Sequence, residues 1–118
     1  MLVIGGGQIR ALEEAQIERF MYWLSKHLRH SFGDELNHRS DEDLLAAVRH
    51  FCDTAKLFGI ELQDDLRRYA ELSIKYGDRM YEDPRHPRIG RVLTSNGISG
   101  TAKMDMLDWL ELQIPPAG

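Results

Sequence analysis

The sequence predicts an all-α protein, a compact bundle of four or five helices. Three observations predict it. Apolar residues recur at three- and four-residue steps along most of the chain. No segment alternates apolar and polar residues at period two. Glycines, prolines and capping residues fall between the periodic runs, where helices stop and start.

The first helix runs from Gln8 to about His30. Ile9, Leu12, Phe20, Leu24 and Leu28 form its stripe, with Ala15 and Ile17 filling the longer gap. Glu13 and Glu14 stand near its start and Lys26 and Arg29 near its end, as the helix dipole favours. The stretch SFGDELNHRS breaks the pattern. Ser40 caps a second helix whose first turn holds Asp41, Glu42 and Asp43. Its apolar face is Leu44, Leu45, Val48, Phe51, Cys52, Ala55 and Phe58, and Gly59 stops it. A third helix spans about Asp64 to Tyr76, marked by Leu62, Leu66, Tyr69, Ala70, Leu72 and Ile74 and ended by Gly77. Pro87 suits the first position of a short helix ending at Leu93. Asn96–Gly97 makes a tight turn, and Ser99 or Thr101 caps a last helix to about Leu112. That helix uses Met104, Leu107, Trp109 and Leu110. Residues 8–113 thus read as one domain, between a flexible N-terminal tail at 1–7 and a C-terminal tail at 114–118.

Composition narrows the function. With 42% hydrophobic and 29% charged residues, the 118-residue chain reads as an ordinary soluble domain. Its longest uncharged apolar run is too short to span a bilayer, and no signal-peptide pattern opens it. A lone cysteine, Cys52, fits a reducing compartment, so the expected location is cytoplasmic. The net charge of −4 disfavours non-specific nucleic-acid binding.

The stretch VIGGGQIRA suggests a dinucleotide site, but the fingerprint fails. Gly5 and Gly7 match its first two glycines; the third falls on Arg10. The acidic second strand it needs is replaced by helical LSKHLRHS. Leu2 and Ile4 read instead as tail residues tucked against the bundle.

His27, His30 and His50 raise a metal site, yet HExxH and CxxC spacings are both missing. His50, Cys52 and Asp53 lie too close in sequence to face one another on a helix. Cys52 therefore reads as a small buried hydrophobe. No cofactor, metal or catalytic residue is assigned.

The segment from Arg79 to Arg91 is the most unusual. Arg79, Arg85, Arg88 and Arg91 stand there with Tyr81 and His86, against Glu82 and Asp83. One reading is an edge for an acidic partner. The other is that these arginines pin the loop to helices bearing Asp64, Asp65 and Glu71. Tyr22 and Trp23 lie off the strict stripe of the first helix, where aromatics either widen the core or anchor an interface.

Three stretches, HLRHSF, AKLFGIELQDDLRRYAEL and YGDRMYEDPRHPRIGRVL, occur in an order that resembles one group. These are the small helical proteins encoded beside type VI secretion and polymorphic-toxin genes. The likeness rests on His27, Leu28, Arg29 and Phe32; on Phe58, Gly59 and Ile60; and on Gly77, Tyr81, Asp83 and Pro84. The group's tryptophan after the second proline is replaced here by Arg88-Ile89. The resemblance implies a non-enzymatic immunity protein, or an adaptor or chaperone, that holds a secreted effector or toxin. Two surfaces are candidates for that contact. One is Arg79, Tyr81, Arg85, Arg88 and Arg91; the other is Trp23, His27 and His30. Neither a nucleic acid nor a membrane is an expected partner, and self-association stays open. The alternatives are a small metal-dependent enzyme with a histidine centre and, behind it, a nucleic-acid-binding regulator.

Overall fold

The computed structural model describes the backbone of residues 6–113 and the side chains of residues 14–113. The chain is all-α, as predicted, and the described residues contain no strand. Among the described residues six helices follow one another: α1 (Gly6–Ser31), α2 (Gly33–Leu36), α3 (Asp41–Leu57), α4 (Gln63–Tyr76), α5 (Pro87–Leu93) and α6 (Gly100–Gln113). A 3-10 turn, Met80–Glu82, precedes α5. Five of the six are the helices the periodicity predicts. The sixth, α2, is a single turn inside the stretch read as a break. α1 starts at Gly6, two residues early, so Gly7 and Arg10 are helical rather than part of a glycine loop. The tail residues 1–5 and 114–118, with Leu2 and Ile4, lie outside the described residues.

The chain divides into two units, Met1–Arg49 and His50–Gly118, with the division inside α3. In the first unit, α1 buries Phe20, Met21, Leu24 and Leu28. Ala15 and Ile17, expected to extend that stripe, are exposed. Among the described residues the burial of α1 begins one turn after Ile17, at Phe20.

Arg29 organises the connection that follows α1. Its guanidinium donates to the Leu36 carbonyl at 2.6 Å, the Arg39 carbonyl at 2.7 Å and Asp41 Oδ1 at 3.0 Å. One planar fork thus satisfies the open carbonyls after α2 and meets the first acid of α3. Ser40 caps α3 as predicted, its hydroxyl accepting the Asp43 N–H at 3.1 Å. Arg49 reaches back to α1, where both its terminal nitrogens meet the Glu18 carboxylate.

The second unit begins with the rest of α3, which buries Phe51, Cys52 and Ala55. Burial pushes the Cys52 thiol up to about 11, so it stays protonated and acts as a small hydrophobe. Gly77 ends α4 with φ +97°, a conformation that L side chains resist. A different demand falls on Gly90 in α5. A Cβ there would overlap the Tyr81 carbonyl oxygen, so glycine lets the 3-10 turn lie directly on the helix.

α4 and α6 are joined by a row of polar contacts. Thr101 donates to Asp65 at 2.5 Å. Arg68 meets Asp65, Asp105 and Asp108. Lys75 and the Tyr76 hydroxyl both reach Glu111. Residue numbers rise together along the row, so the two helices run parallel. Ser99, not Thr101, caps α6: its hydroxyl accepts the Ala102 N–H at 3.1 Å.

Lys103 is a buried cation of this unit, at 5% exposure. Its Nζ donates to the Phe58 carbonyl at 2.9 Å and the Leu93 carbonyl at 2.8 Å. Leu93 closes α5 and Phe58 follows the last residue of α3. Both carbonyls sit where helix dipoles concentrate negative charge, which is what a buried ammonium needs.

Candidate partner-binding surfaces

The arginine-rich segment divides in two. Arg79 folds onto Glu82, at 2.6 Å, and Arg85 onto Asp83, at 2.8 Å. The Arg85 backbone N–H also donates to Asp83, and the two contacts hold that carboxyl down to about 2. Tyr81 is half-buried, its ring 5.4 Å from that of Phe58, while its carbonyl lies against Gly90. Its surroundings give it a packing role in the turn. The acids expected to pin this segment are engaged elsewhere. Asp64 and Glu71 pair with Arg67, and Asp65 pairs with Arg68.

Arg88 and Arg91 differ from their neighbours. Both are exposed, and neither has an acidic partner among the described residues. They stand three residues apart on α5, hence on one face. That face walls a groove of about 430 Å³ between α5 and α6. Val92, Met106, Trp109 and Leu110 line its apolar part. Trp109 is 59% exposed and Met106 42%. Asp105 lines the opposite wall, already held by Arg68. A second cleft of about 210 Å³ shares Arg88 and Leu110 with the groove and adds Arg85, His86 and Gln113.

Trp109 and Leu110 were expected to mark the core face of α6. Leu110 is half-buried and Trp109 faces solvent. The buried positions are Lys103, Met104 and Leu107. Met106 and Trp109 lie about a third of a turn or more away from that line, because each residue advances roughly 100°. A signal for the groove was present in the sequence. Between 104 and 112, α6 carries Met104, Met106, Leu107, Trp109, Leu110 and Leu112, more than one face of a helix can bury.

The other predicted surface lies in the first unit. Trp23 is half exposed and stacks on His27, with ring centres 5.1 Å apart and planes 13° apart. Phe20 also stacks with the indole, ring centres 6.0 Å apart. His30 is exposed on the same helix. Lys26 lies over the Tyr22 ring at 4.6 Å, beside a cleft of about 250 Å³ that also meets Asp41 and Glu42. This aromatic row is real, but its members mostly contact one another, and the cleft beside it carries both signs of charge.

Among the described residues, no three His, Cys, Asp or Glu side chains converge where they could hold a metal ion. His50 lies 3.6 Å from Asp78, an exposed pair of two. No described helix is long and apolar enough to cross a membrane. No protein-family model, curated protein or solved structure matches the chain.

Proposed function

We propose that the protein is a non-enzymatic binding protein that holds a bacterial secreted effector or toxin, as an immunity protein or an adaptor. Immunity and delivery share the same act, a tight grip on the partner. They differ in what happens to the partner afterwards. The single observation that carries the reading is the α5/α6 groove, where an exposed indole and thioether lie beside two arginines without acidic partners. Large exposed aromatics and arginines are the side chains that dominate protein–protein contacts. The partner class rests on the resemblance of the three motif stretches, and occlusion of the partner by this face is the mechanism. The aromatic row at Trp23 and His27, with His30, is the second contact surface in this reading.

The test is capture from the source bacterium with tagged wild-type protein and tagged Trp109→Ala side by side. The expected result is one secreted effector or toxin retained by the wild type and lost from the variant. The captured protein then enters an inhibition assay. Identical capture by both baits overturns the groove as the gripping surface. Stoichiometric zinc or iron in untagged protein would turn the reading toward the metal-dependent enzyme.

A further inference from the structure

We infer that the α5/α6 groove takes a peptide segment of its partner in which a carboxylate side chain lies next to a bulky apolar one. The inference rests on the groove as the gripping surface and goes on to name the chemistry of its occupant. Its basis is a difference among the arginines of the second unit. Arg67, Arg68, Arg79 and Arg85 all have carboxylate partners. Arg88 and Arg91 have none among the described residues, although the chain holds 19 acidic residues against 15 basic ones. Within this unit they are the two arginines without an acid among the described residues, and they are neighbours on one helix face lining one groove.

The rest of the groove supplies the other half of the recognition. Val92 and Leu110 are the more buried apolar residues that line it, and Met106 and Trp109 the exposed ones. A methionine adapts to varied shapes, and a tryptophan adds a large rigid contact at little entropic cost. An apolar side chain entering there would bring its neighbouring residues to the α5 wall. A carboxylate at that place gains charge-assisted, two-pronged hydrogen bonds from Arg88 or Arg91. The opposite wall discriminates against the wrong charge pattern. Asp105, the acid that lines that wall, shares the guanidinium of Arg68 with Asp65 and Asp108, so it offers no attraction to a second carboxylate. A segment must therefore present its acid toward α5 and not toward α6.

A phage-displayed library of random twelve-residue peptides tests this directly on the full chain. Selections run in parallel on wild type, on Arg88→Gln/Arg91→Gln and on Trp109→Ala, each checked for native helical circular dichroism. The inference expects wild-type winners enriched in Asp or Glu beside Leu, Ile, Phe or Trp. Those peptides should bind the double arginine variant about tenfold more weakly, the scale of losing one charged hydrogen-bond set. They should fail on Trp109→Ala. Winners that are apolar without acidic enrichment, and that bind the arginine variant equally well, overturn the inference while leaving the groove as a gripping surface. No enrichment above background on wild type overturns both.

Discussion

On the side of α6 that meets α4, each charge is answered. Arg68 serves three aspartates, Lys75 and Tyr76 share Glu111, and Met104 and Leu107 are buried. On the side that faces α5 and solvent, the same kinds of residue are left open. Met106 and Trp109 are exposed, and Arg88 and Arg91 stand beside them without acids. One fourteen-residue helix thus carries a finished interface and an unfinished one. The contrast teaches where to look for function. Residue type does not separate the faces; satisfaction does. Folding selects for groups whose partners are inside the chain, whereas an open set of the same groups calls for a partner outside it.

The comparison breaks most sharply at Leu107, which is 2% exposed. Leu107→Ala removes buried methyl groups and leaves a cavity, and it should cost about 2–5 kcal/mol of unfolding free energy. The check is urea denaturation followed by circular dichroism at constant m-value. A loss below about 1 kcal/mol would mean that the buried face of α6 is not the stabilising one.

Lys103 comes next, and it sharpens what the finished side depends on. Lys103→Met keeps most of the aliphatic volume but strands the Phe58 and Leu93 carbonyls. Burial of a stranded acceptor is costly, so the expected loss is about 2–3 kcal/mol. Replacing a buried charge by a hydrophobe is often neutral when its partners leave with it. Here they are backbone and remain. A Lys103→Met protein as stable as wild type would show that the ammonium is not what holds the ends of α3 and α5 together.

These two positions also mark how far the sequence could be read. The helices were legible because their signals are local. Ser40 and Ser99 cap, Gly59 and Gly77 stop, Pro87 starts, and the apolar period lies between them. The site was legible only in part, because it depends on which charges are spent. Arg79 and Arg85 have acids two or three residues away, and the structure pairs them there. That proximity was visible in the sequence and would have set them apart from Arg88 and Arg91. The groove's other wall was not visible as such. α6 has apolar residues on two faces, so periodicity cannot say which face the protein keeps for itself. Trp109 was read with Met104, Leu107 and Leu110 as the apolar set of the last helix, and its place was decided by the register of Lys103, Met104 and Leu107. Lys103 itself gave no warning. A single lysine in an apolar run ordinarily extends to water, and only two helix ends meeting at one point make burial favourable.

Trp109→Ala carries the smallest expected effect on stability and the most information about the comparison. The side chain is the largest on α6, so a core role would make its loss more damaging than that of Leu107. Its exposure says otherwise: at 59% exposed, most of the residue is already in water, and its removal should lower the free energy of unfolding by about 1 kcal/mol or less. Denaturation midpoints of Trp109→Ala and Leu107→Ala, read by circular dichroism so that loss of the indole does not disturb the signal, therefore separate the two faces. A near-native midpoint for Trp109→Ala alongside a large drop for Leu107→Ala leaves the indole with no internal task. Its cost must then be offset by something it touches outside the chain. A drop at Trp109 equal to that at Leu107 would place the tryptophan in the fold after all, and the groove would lose its anchor.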